Sequence, residues 1–272
     1  MNYLLTRFTF DQFLETAGMY PQECRGEIDS RAHDCPEWYG ASFEEAYRMA
    51  VAGWPEGRER IAKSLADIEA VGEDRETMTY DVAGSEPDVG RYLAGEPENM
   101  LAFLPTPEKR VIRILACISI SCAIDTETVF TRGAAVVALA DRLERLGNRV
   151  EVMLCDSSKP THGAFLPHAE ASAVTLVQIK AAGQPMDIDR MAFLFGHPAS
   201  QRRLMFSVKE HVLRIDASHR RPCPIPAEIR ETAHIVMPEA DSGNHEWKNA
   251  KTAAAWIDRE LCRFTAPEEV AA

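Results

Sequence analysis

Between His197 and Arg221 the sequence interleaves cations with aromatic and apolar side chains: Arg202 and Arg203 precede Phe206, and Lys209, Arg214, Arg220 and Arg221 follow. Residues 190–230 hold eight Lys and Arg against three Asp and Glu, with His197, His211 and His219 nearby. A locally positive surface is therefore expected on a chain whose formal net charge is −12. The chemistry this suits is the grip of a single strand of nucleic acid, in which cations track phosphates and flat rings accept splayed bases. Trp38, Tyr39 and Trp54 supply further rings for stacking. The competing reading makes Phe206 a core residue, pairs the arginines with the acidic N-terminal segment, and uses the tryptophans to anchor that segment on the fold.

A second group of chemistry-bearing residues ends the apolar run of residues 111–120, as Cys117-x-Ser119-x-Ser121. This resembles the DxSxS that opens the metal-ion-dependent adhesion site of von Willebrand A-type domains, where a helix and a second strand likewise follow. The resemblance implies the fold more than the metal. Mg²⁺ needs hard oxygen ligands, the leading Asp is a thiol here, and Ile235-Val236-Met237-Pro238-Glu239 lacks the Asp that a fourth strand would supply. No metal and no cofactor is expected. Cys24, His33 and Cys35 lack the second half-site that a zinc ion needs. The sequence contains no GxGxxG, GxxxxGK[ST] or GxSxG, which disfavours a dinucleotide fold, a P-loop and a hydrolase elbow. The remaining enzymatic alternative is a thiol or metal hydrolase around Cys117, His162 and His168; a non-enzymatic protein is expected.

The elements that position these residues follow from periodicity and caps. Ser42 with Glu45 has capping-box spacing, and Phe43, Ala46, Tyr47 and Ala50 recur on one helical face before Gly53. Pro55 suits the first turn of a second helix carrying Ile61, Leu65 and Ile68 up to Gly72. Residues 73–109 are rich in Gly and Pro and predict loops with a short strand at 77–82. A strand at 111–120, a helix at 126–146 and a strand at 149–155 then predict a βαβ unit with a parallel pair. A strand at 173–180, helices at 187–195 and 199–212, a strand at 233–237 and a helix at 247–264 continue the alternation. The fold class expected is α/β, a mainly parallel three-layer sandwich over residues 110–265. An α-helical, loop-rich N-terminal region at 1–109 precedes it, and a short acidic tail at 266–272 follows.

The chain has 272 residues, 46% of them hydrophobic, enough to bury a core without disulfides. Its charge is uneven: −11 over residues 1–110, +2 over 111–232 and −3 over 233–272. The seven scattered cysteines read as reduced thiols. No apolar run has the roughly 18–20 residues of a membrane span, and the start shows no basic, then apolar, leader pattern. A cytoplasmic protein with no membrane partner is expected.

Two blocks stand out together: Trp38-x-Gly40-x-Ser42-Phe43-Glu44-Glu45-Ala46 leading to Gly53-Trp54-x-x-Gly57, and Arg132-Gly133-Ala134-Ala135 leading to Leu143-Glu144-x-x-Gly147-x-Arg149-Val150-Glu151. They resemble the single-stranded-DNA-binding RNA polymerase cofactors of podovirus-type bacteriophages. The resemblance covers residues 38–57 and 111–155 and rests on structural motifs. It implies non-specific binding of single-stranded DNA, recruitment of the phage RNA polymerase to opened promoters, self-association into a homo-oligomer, and residence in the host cytoplasm. The expected function is a non-enzymatic, single-stranded-DNA-binding transcription cofactor. Its contacts, chosen from charge and ring content alone, are Arg202, Arg203, Lys209, Arg214, Arg220, Arg221, Phe206, Trp38 and Tyr39. The alternative is a von Willebrand A-like protein-interaction scaffold with a degenerate metal site, with or without a divalent ion, using the surface near Ser119 and Ser121.

Overall fold

A computed structural model of the protein describes residues 3–19, 36–69, 78–103, 110–160, 172–213, 215, 220–241, 247 and 249–265. β1 (Tyr3–Thr9) runs directly into α1 (Phe10–Met19), and α2 (Pro36–Tyr39), α3 (Phe43–Ala52) and α4 (Pro55–Glu69) follow. A small sheet of β2 (Met78–Asp81), β3 (Glu86–Pro87) and β4 (Met100–Phe103) carries α5 (Val89–Leu93) between its last two strands. Next come β5 (Val111–Cys117), α6 (Thr126–Arg145), β6 (Arg149–Pro160), β7 (Ser172–Lys180) and α7 (Ile188–Gly196). A π-helical stretch, Ser200–Met205, leads into α8 (Phe206–His211), β8 (Arg220–Pro222), α9 (Ala227–Arg230), β9 (Ile235–Met237) and α10 (Ala250–Thr265).

The architecture is α/β with a mainly parallel central sheet. Its order is β1-β7-β6-β5-β9, and β8 pairs with β6. β5 pairs in parallel with both β6 and β9, with Cys117 opposite Cys155. β6 outlasts β5, and β8 takes up the edge beyond, with Ser158 opposite Pro222. Side chains of Ile112, Ile114, Ala116, Val150, Val152 and Leu154 join the large helical core, whereas Leu115, Cys117 and Cys155 pack with Val174, Leu176, Ile225 and Ile229 in a second cluster. That alternation is the two-residue period of a strand buried on both faces.

Three features depart from the sequence reading. β1 is part of the main sheet, parallel to β7 from Tyr3 opposite Ser172 to Thr9 opposite Gln178. Side chains of α1, α3 and α4 enter the same core as α6 and α7, so the boundary expected at residue 110 does not divide that core. β7 runs antiparallel to β6, as a hairpin partner that needs no crossover helix. Because β7 opposes β9 in direction, the rule that sends parallel crossovers to a fixed face does not govern the helices between them. Among the described residues every helix of nine or more residues packs into one core, and only the short α9 lies in the second cluster. Among the described residues, α9 is therefore the helical cover of the second face of the sheet.

Candidate functional site

Caps and glycines set the N-terminal elements in place. The Ser42–Glu45 box closes α3 reciprocally, with Glu45 N donating to Ser42 Oγ at 3.2 Å and Ser42 N donating to Glu45 Oε2 at 3.0 Å. Gly53, at φ +88°, leaves room for Asp189, whose Cβ would lie 2.5 Å from any Cβ added there. Gly57 lies beneath the Trp54 indole, where a Cβ would come within 2.1 Å of Cε3. In the Gly53-Trp54-x-x-Gly57 block, the first glycine admits Asp189 and the second seats the tryptophan.

That tryptophan walls an open groove of about 560 Å³ with Phe130, Arg60, His197 and Pro198. Trp54 and His197 are half-buried and meet edge to face at 4.8 Å; Phe130 stands edge-on to Trp54 at 6.3 Å. The Arg60 guanidinium lies 3.9 Å over the Phe130 ring and pairs with Glu127 at 2.8 Å. Burial and the nearby Arg60 cation push the His197 imidazole down to about 4. Its Nδ1 accepts from Ala199 N at 3.1 Å. At neutral pH His197 is accordingly an uncharged flat ring.

The basic run expected to track phosphates does not form one surface. Arg202 is 2% exposed and donates to Trp38 O and to Ile124 O, the latter at 3.3 Å, while stacking 4.3 Å over the Trp38 ring. Desolvation pushes its pKa down to about 10, which leaves it charged at neutral pH. Lys209 is buried and paired with the equally buried Asp156. Tyr39, 2% exposed, lies under Arg203, whose guanidinium is 3.9 Å above the ring and donates to Ala41 O at 3.0 Å. Arg220 is held by Ser158 through Oγ at 3.1 Å and the carbonyl at 2.9 Å, and burial lowers its pKa. Arg202, Lys209 and Tyr39 are thus corrected from surface contacts to interior ones. The physical reason is that each finds a carbonyl, carboxylate or cation that replaces water. Trp38, Phe206 and Arg203 remain half-buried, Trp38 and Phe206 at 6.4 Å, and Arg221 is exposed. Arg214 lies outside the described residues.

A second arrangement occupies the ends of β5 and β9, where the strand order reverses direction about β5, the place at which open α/β sheets bind their ligands. Arg132, a buried cation in the apolar stripe of α6, donates from Nη2 to Cys117 O at 2.8 Å and to Pro238 O at 2.6 Å. It joins the ends of two neighbouring parallel strands and lies 5.2 Å over the Trp247 ring. Ser119 is fully buried, its Oγ accepting from Ser157 N at 2.7 Å. Ser121 N donates to Ala240 O and Ala240 N to Ser119 O, each at 2.9 Å. The Cys117-x-Ser119-x-Ser121 end does not fit a divalent cation: a guanidinium already stands between the strand ends, and the serine and thiol face the protein. A cavity of about 10 Å³ beside Arg132, also lined by Gln201, holds one water at most. Among the described residues no group of three or more His, Cys, Asp or Glu is placed to hold a metal. The Cys155 thiol is pushed well up by its hydrogen bond with Cys117 and by burial, which keeps it protonated. Cys24, His33, Cys35, His162 and His168 fall outside the described residues.

A family model described as a domain of unknown function, DUF7192, matches residues 9–261. The chain belongs to the DUF7192 family. No curated protein and no solved structure matches it. The DUF7192 span takes in both the groove and the Arg132 staple. Arg60, Phe130 and His197 were not singled out as site residues by sequence reasoning; they come from three separate helical segments and their ends, and no local signal joins them. For Arg132 the signal was a charge set among Val129, Ala134, Val137 and Leu139, all buried in α6.

Proposed function

We propose that the protein is a non-enzymatic binder of single-stranded DNA that acts as a transcription cofactor. Its contact surface in this reading is the groove of Trp54, Phe130, His197 and Arg60, extended by Trp38, Phe206 and Arg203. The observation that carries it is the groove itself, in which two partly open, uncharged rings, Trp54 and His197, stand beside Arg60 at the mouth of a space of about 560 Å³, with the buried Phe130 ring as its floor. Arg58 and Arg60 are about half exposed and pair with Asp189 and Glu127 at 3.1 and 2.8 Å. Exposed pairs of this kind contribute about 0–1 kcal/mol, so a phosphate displaces the carboxylate at small cost. The phage RNA polymerase as partner and self-association into a homo-oligomer come with the same reading, through the resemblance of the two sequence blocks.

Titration of the protein with a labelled mixed-sequence single strand and the matching duplex, at two salt concentrations, tests this. Single-strand binding that exceeds duplex binding and weakens with salt is expected, and Trp54→Ala lowers the affinity by about tenfold, the worth of one stacked base. No binding of either at low salt overturns it.

A second reading is supported by topology. The order β7-β6-β5-β9 with an antiparallel β7 agrees with a von Willebrand A-like interaction scaffold in which Arg132 stands in for the metal. In that reading neither Mg²⁺ nor EDTA moves the melting temperature, and a Mg²⁺-dependent rise counts against it.

A further inference from the structure

Among the described residues, the small sheet presents an apolar face that no other element covers. Val89, Tyr92 and Leu93 of α5 stand at i, i+3 and i+4, hence on one face, and are 63%, 66% and 78% exposed. Val82, directly after β2, is 68% exposed. No side chain described between residues 78 and 103 is buried, and β2, β3 and β4 pair only with one another.

Polar contacts hold this frame, so the apolar residues are not needed to build it. Asp88 caps α5 by accepting from Arg91 N at 3.1 Å, and Tyr80 Oη donates to the same carboxylate at 3.0 Å. Arg91 stacks 4.0 Å over the Tyr80 ring, donates to Glu98 O at 3.1 Å and pairs with Glu96. Residues 78–103 contain five acidic side chains, Asp81, Glu86, Asp88, Glu96 and Glu98, and Arg91 as the single cation. With five carboxylates against the one cation, which is engaged within the frame, the segment that carries the apolar face is acidic.

We infer that the α5 face docks a basic amphipathic segment of another protein, its apolar side chains covering Val89, Tyr92 and Leu93 and its cations meeting the carboxylates of the same segment. The charge decides among occupants. Phosphates are repelled by this module, and a second copy would set the same five carboxylates against their like, on chains that each carry −12. An exposed apolar face on a charged segment is the form of a protein-binding patch.

The test uses the full chain and a fluorescent synthetic helix of Leu and Lys, with a matching Leu and Glu helix as its control. The Lys peptide is expected to bind and to weaken with salt, while the Glu peptide does not bind. The triple variant Val89→Ser, Tyr92→Ser, Leu93→Ser changes no charge, and it lowers the affinity for the Lys peptide by about tenfold with an unchanged far-UV circular dichroism spectrum. A second variant, Glu86→Lys with Glu98→Lys, weakens the same binding without touching the apolar face. Equal binding by the triple variant and the wild type overturns the inference. So does equal binding of the Glu peptide, or a dimer in sedimentation that the triple variant dissolves, which would make a second copy the occupant.

Discussion

Around β5 and β6 charge is taken inside and paired, whereas on the small sheet of β2, β3 and β4 hydrocarbon is left facing water. In the main body Arg132, Lys180, Arg202 and Lys209 are all at least nine-tenths buried. Each of them joins segments far apart in sequence: Arg132 ties β5 to the residue after β9, and Arg202 reaches Trp38, 164 positions away. Lys180 donates to Val150 O at 2.8 Å and pairs with Glu144 at 2.5 Å. The small sheet is instead fixed by contacts within a span of 26 residues, and its apolar side chains are spare. The difference teaches that composition does not report surface. In this molecule cations act as internal staples, and the exposed side of α5 is apolar.

The sharpest way to break that comparison is to remove one staple. Lys209→Ala leaves the fully buried Asp156 carboxyl without Lys209 as its counter-ion, and a loss of about 3–5 kcal/mol is expected in urea unfolding. A loss under about 1 kcal/mol would mean that the pair is hydrated and that the body does not bury charge in the sense argued. Gly133→Ala tests the packing that surrounds the staples. A Cβ at Gly133 would lie 2.4 Å from the Gly196 backbone, where α6 and α7 touch, and backbone cannot swing away as a side chain can. About 2–3 kcal/mol is expected, the upper part of the range for overpacked cores, read in the same urea series.

How much of this was legible beforehand depended on whether a feature is local. The Ser42–Glu45 box and the succession β5, α6, β6 were readable because caps and hydrophobic periods lie within a few residues of one another. The role of β1 was not, since its partner β7 begins at Ser172 and nothing in seven residues names a partner that distant. Nor does a two-residue period carry direction, so the strand at 173–180 was readable as a strand but its antiparallel return to β6 was not. The ring-and-arginine grouping near Arg202 and Trp38 was found, with the wrong face: a cation is presumed solvated until a partner is known, and the partners of Arg202 and Lys209 come from α2 and β6. Arg132 was passed over although its signal is local: a charge set within an apolar helical stripe must be buried with a partner or break the helix face.

A smaller effect separates the groove from the staples by pH. His197 is held neutral, at about 4 against its ordinary 6.5. Above pH 6.5 the folded and unfolded forms are both neutral there, and stability is unaffected. As pH falls from 6.5 towards 4 the unfolded chain takes up a proton that the native ring refuses, so stability is lost across that window. Roughly 1–2 kcal/mol is expected by pH 5. His197→Asn keeps an acceptor for the Ala199 amide and removes the titration, so the variant's urea midpoint should fall less between pH 7 and pH 5 than that of the wild type. Equal slopes would show that the ring is open to water and protonates normally.

The smallest effect sharpens the comparison from the other side. If Tyr92 and Leu93 were part of a core, replacing both with Ser would cost several kcal/mol through lost burial and cavity formation. They are 66% and 78% exposed, and the frame around them is held by Asp88, Tyr80 and Arg91. Tyr92→Ser with Leu93→Ser should therefore change global stability by less than about 0.5 kcal/mol and leave the urea m-value where it was, because no additional surface is exposed on unfolding. A loss near that of Gly133→Ala would place the α5 face against the body in solution. The contrast between an interior that carries charge and a surface that carries hydrocarbon would then rest on the main sheet alone.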